Sequence, residues 1–91
     1  MMANAKDTVL DIKNSKKFTV YGKEYTVQRL PVREALELRE RWQGSEVTMF
    51  EMVLEHFVVT PRVSLDDFED VITVEELVQK ILTYQYGSKG K

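Results

Sequence analysis

The stretch "KFTVYGKEYTVQRLPVREALELRERWQG", Lys17 to Gly44, decides the fold. Its first part contains two segments in which apolar and polar residues alternate, joined at Tyr21-Gly22. A short glycine-containing connection between two alternating segments predicts a β-hairpin. Side chains alternate between the two faces of a strand. One face of the predicted ribbon therefore carries Phe18, Val20, Tyr25 and Val27. That face is apolar and needs a cover.

The same stretch changes from strand to helix at Leu30-Pro31. A residue before proline is pushed out of the α region, whereas proline suits the first turn of a helix. We therefore predict a first helix that starts near Pro31, ends at Trp42 or Gln43 and is terminated by Gly44. Its apolar stripe comprises Val32, Ala35, Leu36, Leu38 and Trp42.

A second helix is predicted directly after Gly44. Ser45 is a favourable N-cap, and the segment "EVTMFEMVLEHFVV" supplies a helix over about residues 46–58. This helix is apolar over most of its circumference. Such a helix either lies deep in a fold or contacts two neighbours.

Two further capping patterns follow along the chain. Ser64 and Asp67 have the spacing of a capping pair and predict a single helical turn between them. Thr73 and Glu76 have the spacing of a capping box, which predicts that a third helix begins at Thr73. That helix is expected to end near Gly87.

These elements predict an α+β fold in which an N-terminal β-hairpin or small meander is followed by three α-helices, with helix dominating. Residues 17–87 form the single domain, residues 1–16 a flexible arm and residues 88–91 a flexible tail. The segment Thr8–Ile12 alternates weakly, and as an edge strand it would extend the hairpin to a meander.

The composition is that of a folded domain from a reducing compartment. The chain has 91 residues, of which 43% are hydrophobic and 31% charged, and it contains no cysteine. Its first residues lack the apolar core of a secretion signal, and no apolar run approaches the roughly 20 residues of a membrane span. We therefore expect a cytoplasmic protein with no membrane contact.

The charge is divided unevenly along the chain. Residues 18–87 hold seven lysines and arginines against thirteen carboxylates, a net charge of −6, whereas both ends are basic. Phosphate binding needs clustered Lys and Arg on the fold itself. The acidic body therefore argues against nucleic acid as a partner.

Reactive groups are scarce. One histidine without cysteine does not make a zinc site, and "DDFED" lacks the glycine and spacing of an EF-hand loop. Ser45 and Ser64 stand where caps belong, and His56 is better explained by packing than by general-base catalysis. We expect no metal, no cofactor and no enzymatic activity.

Three features fit binding instead, and each also has a structural explanation. Met49 and Met52, beside His56, make either an adaptable binding patch or part of a helix packed on both sides. Trp42 is either a partner anchor or a core residue over the hairpin. Arg39 either lays its stem on apolar surface or meets a buried carboxylate. Trp42, Met49, Met52 and His56 are thus the candidate partner-binding residues.

The pattern as a whole resembles the phage tail assembly chaperones, small proteins encoded before the tape measure protein in long-tailed phages and prophages. The matching stretches are "FTVYGKEYTVQRLPVREALELRERW", "FEMVLEHFVVTPRVSLDDFED" and "VEELVQKILTYQYG", within residues 17–87. The resemblance implies a non-structural factor of the host cytoplasm that shields the tape measure protein and helps recruit tail tube subunits. It also implies a longer product made by frameshifting near the end of the reading frame.

A second hypothesis belongs to a different class. A small regulatory or antitoxin-like module would neutralise one folded partner by surface contact. Both hypotheses need accessible apolar surface and no reactive groups, so the residues alone leave them open. They also leave open whether the chain associates with itself.

Overall fold

The computed structural model describes residues 15–87, and these residues form an α+β fold, the predicted class, with a different order of elements. The elements, in chain order, are β1 (Ser15–Val20), β2 (Lys23–Gln28), α1 (Val32–Arg41), α2 (Glu46–Phe57), β3 (Val58–Thr60), a 3-10 turn (Leu65–Asp67) and α3 (Val71–Tyr86). The strand expected at Thr8–Ile12 and the tail 88–91 lie outside the described residues, and so does the predicted arm except for its last two positions. Those two, Ser15 and Lys16, belong to β1.

The predicted hairpin is confirmed. β1 and β2 are antiparallel, with Phe18 opposite Tyr25, and the connection consists of Tyr21 and Gly22. Both turn residues have positive φ angles, 47° and 86° respectively. Two positive φ angles suit the right-handed twist of the flanking strands, and glycine adopts one without steric cost.

The third strand was not predicted. Val58 was expected at the end of the second helix, but it opens β3, in which Val58 pairs with Val27 and Thr60 with Thr26 of β2. The sheet order is therefore β1-β2-β3, and the strand that completes it follows α2. The segment Val58–Thr60 is wholly β-branched, which favours strand over helix once a neighbouring strand edge is available.

The caps of α2 and of the short turn are confirmed. The Ser45 side chain accepts a hydrogen bond of 3.2 Å from the backbone N–H of Thr48. The backbone N–H of Ser64 donates to the Asp67 carboxylate at 2.8 Å. Each bond satisfies a group that a helix terminus otherwise leaves without a partner.

The predicted start of the third helix is wrong. Asp70, not Thr73, is the N-cap of α3, and its carboxylate accepts a bond of 2.8 Å from the backbone N–H of Thr73. This bond lowers the pKa of Asp70. Val71 and Ile72 therefore belong to the first turn of α3. The helix ends at Gly87, as predicted, with a φ angle of 88°.

The core lies between one face of the sheet and the helices. Its buried side chains come from every helix and strand: Val20, Tyr25, Val27, Ala35, Leu38, Trp42, Val53, Leu54, Phe57, Val58, Val74, Leu77, Val78 and Ile81. Burial also raises the pKa of Tyr25. Helix α2 is buried along a single stripe, since Val47 at its start is 59% exposed.

The predicted stripe of the first helix is narrower than expected. Ala35, Leu38 and Trp42 are buried, but Val32 and Leu36 are 71% and 43% exposed. The buried positions are spaced three and four residues apart, so they form one ridge of the helix. Helix α1 thus packs through a single ridge.

None of the helices within residues 15–87 combines the length and apolar composition that a membrane crossing needs.

Candidate functional site

Trp42 is a core residue at the end of α1. Its side chain is 9% exposed, and its ring meets that of Tyr86 edge to face, with the centroids 6.1 Å apart. Edge-to-face contact is a favourable geometry for aromatic pairs. The indole is therefore largely enclosed by the fold.

Two of the four predicted binding residues line a common depression. Trp42 and Met49 line a shallow surface depression of about 370 Å³, but Met52 and His56 do not. Both methionines are partly buried and pack on the core, and His56 is partly buried as well. The backbone carbonyl of His56 accepts a 3.0 Å bond from the Gln28 side-chain amide. This end of α2 is thus tied to β2.

Arg39 contacts an aromatic ring. Its guanidinium carbon lies 5.0 Å from the centroid of the Tyr86 ring. A cation above an aromatic face is attracted by the negative face of the ring. Of the two predicted arrangements the first holds: the side chain lies over apolar surface instead of meeting a buried carboxylate.

The end of α3 holds the connector between sheet and first helix through three consecutive residues. We call Tyr84, Gln85 and Tyr86 the C-terminal clamp. The backbone N–H of Leu30 donates to the Gln85 side-chain oxygen at 2.6 Å, and the Gln85 amide nitrogen donates back to the Leu30 carbonyl at 3.1 Å. One side chain thereby satisfies both backbone groups of a residue that precedes a proline.

The tyrosines complete the clamp. The Tyr86 hydroxyl donates to the Ala35 carbonyl at 2.6 Å, while its ring packs on Phe57 as well as on Trp42. Burial raises the pKa of Tyr86, an effect that the nearby charge of Arg39 partly offsets. The clamp thus fixes α1 to α3 through the partly buried Tyr86 hydroxyl.

Tyr84 anchors the sheet side of the clamp. Its ring meets Phe18 of β1 edge to face, with the centroids 5.9 Å apart. The Arg29 guanidinium lies 4.3 Å from the centroid of the Tyr84 ring and donates to the Tyr84 carbonyl at 3.1 Å. Tyr84 thus contacts β1 through its ring and Arg29 through both its ring and its backbone carbonyl.

A groove opens at the other end of α3, between the first turns of α2 and α3. We call it the acid-rimmed groove. It has a volume of about 350 Å³, and its apolar lining consists of Val47, Phe50, Leu65, Phe68, Val71 and Val74. Val47 and Val71 are 59% and 62% exposed, and the adjoining Ile72 is 64% exposed. Part of the lining is therefore open to solvent, while Val74 at its base is buried.

The rim of this groove is entirely acidic. The remaining lining residues are Glu46, Glu69, Asp70 and Glu75, and no lysine or arginine of residues 15–87 lines the groove. Asp70 has a structural role as the N-cap of α3, and Glu46 lies in the first turn of α2. Negative charge in a first turn is favourable to the helix.

Glu69 and Glu75 have neither of these roles. Within residues 15–87, the one ion pair joins Lys80 to Glu76, at 3.6 Å, and involves no residue of the rim. Two rim carboxylates are thus available to a ligand. The same part of the chain contains no group of three or more His, Asp or Glu side chains placed to hold a metal ion.

The groove was missed at the sequence level because the start of α3 was placed too late. A third helix that begins at Thr73 leaves Val71 and Ile72 outside the helix. With Asp70 as the N-cap, these two apolar residues follow a capping aspartate directly in the first helical turn. That arrangement is the local signal that would have indicated an exposed apolar surface beside acidic groups.

No protein-family model, no curated protein and no solved structure matches this chain. The function must therefore be inferred from the residues and from their geometry.

Proposed function

We propose that this chain is a non-enzymatic assembly chaperone of the phage tail type. It would shield apolar surface of the tape measure protein in the host cytoplasm and help recruit tail tube subunits. The observation that carries the proposal is the acid-rimmed groove, in which exposed apolar side chains of two helices meet in one depression. The likeness of residues 17–87 to the tail chaperones supplies the choice of partner.

The groove suits a chaperone because its apolar surface is small and surrounded by charge. Contiguous exposed apolar surface rimmed by polar residues marks interaction sites in soluble proteins. A small contact area favours reversible association, since standard stable interfaces bury about 1,200–2,000 Å² in total. A chaperone that must release its client gains from such a limited contact.

Coexpression tests this function. The long reading frame encoded next to this gene would be expressed alone, with this chain, and with the variant Val47→Ser/Val71→Ser. We expect the chain to raise the soluble yield of the tape measure protein severalfold and the variant to raise it less. Val32→Ser/Leu36→Ser is the matched control, because it removes exposed apolar side chains from α1 instead of the groove.

An unchanged soluble yield with the wild-type chain would contradict the chaperone function. The regulatory or antitoxin-like module would then be the better description. In that case the chain should instead form a stable complex with one folded partner and leave its solubility unaltered.

A further inference from the structure

We infer that the acid-rimmed groove receives the apolar face of a basic amphipathic helix. The inference rests on the proposed function and specifies the chemistry of its partner: an apolar stripe at helical spacing, flanked by lysine or arginine. It assigns the contact to the first turns of α2 and α3, and not to the predicted residues Trp42, Met49, Met52 and His56.

The shape of the groove favours a helix. Val47 and Phe50 are three residues apart on α2, and Val71 and Val74 are three residues apart on α3. Each pair forms a short ridge, because residues at this spacing lie on the same helical face. An amphipathic helix binds between such ridges through side chains spaced three or four residues apart. The volume of about 350 Å³ exceeds the needs of one side chain and falls at the lower end of binding pockets, about 300–1,000 Å³.

The negative charge of the groove indicates which residues lie beside the apolar stripe of the partner helix. All four polar lining residues are acidic, and residues 18–87 as a whole carry a net charge of −6. Lysine or arginine beside the apolar stripe would meet the rim carboxylates, whereas glutamate there would be repelled. Complementary charge at a rim increases the rate of association and suppresses wrong partners.

A second copy of this chain matches the groove poorly. The exposed apolar side chains of α1 are Val32 and Leu36. The sequence of that helix, "VREALELRER", carries three arginines and three glutamates and is therefore neutral. A neutral helix offers the rim no net attraction, so a separate basic partner is the better occupant.

The test uses the full-length chain labelled with ¹⁵N and three synthetic peptides of about 18 residues, because shorter isolated helices are marginal in water. The first has leucine on one helical face and lysine beside it, the second replaces lysine with glutamate, and the third scrambles the first. NMR titration at neutral pH gives both the affinity and the residues that are perturbed. We expect the basic peptide to bind at least tenfold more tightly than the others and to perturb the amides around Val47 and Val71.

Charge reversal provides the decisive variants. The variant Glu69→Lys/Glu75→Lys should bind the basic peptide at least tenfold more weakly than the wild type and should bind the acidic peptide more tightly. Glu37→Lys/Glu40→Lys changes the net charge equally on the exposed face of α1, and should leave the affinity of the basic peptide within about threefold, since distant surface charges are screened at physiological salt.

Several results would overturn the inference. They are equal binding of the basic and acidic peptides, the absence of binding, perturbations centred outside the groove, and equal effects of the two charge-reversed variants. A dimer of the free chain that Glu69→Lys/Glu75→Lys dissociates would assign the groove to a second copy. A gain in peptide affinity from Lys6→Glu/Lys13→Glu would assign it to the chain's own first residues. Either assignment also overturns the inference.

The two proposals can fail separately. If Glu69→Lys/Glu75→Lys still raises the soluble yield of a coexpressed tape measure protein, the groove assignment fails and the chaperone function stands. If the wild-type chain leaves that yield unchanged but binds the basic peptide in the groove, the chaperone function fails and the groove assignment stands.

Discussion

The two ends of α3 are built in opposite ways. At its C-terminal end, the side chains of the C-terminal clamp form hydrogen bonds and edge-to-face ring contacts with partners from β1, from the connector before α1 and from α1 and its C-cap. At its N-terminal end, Val71 and Ile72 are more than half exposed, and Glu69 and Glu75 stand without ion-pair partners in residues 15–87.

One end of α3 therefore contributes to the stability of the fold, whereas the other end is free to bind a partner. Groups that satisfy each other inside the fold contribute to folding but have nothing left to offer a ligand. Exposed apolar side chains contribute little to folding and gain free energy only when a partner covers them. The clamp therefore stabilises the domain, and the acid-rimmed groove is the part that we propose binds a partner. Four changes test this division, taken from the largest expected effect to the smallest.

Removing the Tyr86 ring should have the largest effect. We expect Tyr86→Ala to lower the free energy of unfolding by about 3–5 kcal/mol, because a large aromatic side chain is lost from a packed site. That loss approaches the total stability of a small domain, about 5–15 kcal/mol. Urea denaturation followed by circular dichroism measures it.

Tyr86→Phe is the matched control for this change. It keeps the ring and removes only the hydrogen bond to the Ala35 carbonyl, so we expect a loss of about 0.5–1.5 kcal/mol. If Tyr86→Ala cost no more than Tyr86→Phe, the ring contacts with Trp42 and Phe57 would not stabilise the fold.

Gln85→Ala should have the next largest effect. It leaves the backbone N–H and C=O of Leu30 without their partner in a partly buried place, which costs about 1–3 kcal/mol. Gln79→Ala is the control on an exposed position of the same helix and should stay within about 0.5 kcal/mol. Equal urea midpoints for the two variants would show that the paired bonds to Leu30 do not contribute.

Alkaline pH should remove the contribution of the Tyr86 hydroxyl to the free energy of unfolding. Burial raises the pKa of Tyr86, so the protonated hydroxyl is favoured by the folded state. Its contribution is fully present below the ordinary tyrosine pKa of about 10 and is lost as pH rises towards the higher folded value. Urea midpoints of the wild type and Tyr86→Phe, measured between neutral and strongly alkaline pH, should therefore converge. Tyr25, whose pKa burial also raises, titrates in both proteins and cancels in the comparison. A constant difference across this range would contradict the prediction.

Changes in the groove should have the smallest effect on folding. Val71→Ser and Ile72→Ser replace side chains that are 62% and 64% exposed, and serine and valine have similar helix propensities. We expect each variant to stay within about 0.5 kcal/mol of the wild type in the same urea experiment. A loss above about 1 kcal/mol would mean that the groove also supports the fold, and would remove the contrast between the two ends of α3.

Local signals predicted part of this structure well. The cap at Ser45 and the capping pair at Ser64 act within four residues, and both are present as expected. The N-cap of α3 was misjudged because Asp70 and Thr73 are both good capping residues three positions apart. The capping box with Glu76 favours Thr73, whereas aspartate is the stronger N-cap of the two, so the local signals disagree. In the structure the Thr73 N–H is bonded to Asp70, which places Thr73 inside the helix.

The candidate binding residues show what local sequence signals do not predict, namely which apolar side chains are covered by other elements. Met49 and Trp42 do line one shallow depression, but Met52 and His56 do not, and the apolar groove lies elsewhere, between the first turns of α2 and α3. The helical wheel of α2 indicated which residues were apolar without indicating which would be covered. That choice depended on the 3-10 turn and on α3, which pack against only part of the helix.

The sequence by itself determined the α+β class, the hairpin at Tyr21-Gly22 and the start of α2, because turn and capping preferences act between residues a few positions apart. Only the tertiary structure decided the pairing of β3, the burial of Trp42 and the openness of the groove. Those features depend on contacts between distant residues, such as Tyr86 with Ala35, which are 51 positions apart. Which apolar side chain is covered is settled by what packs on it, and no local preference contains that information.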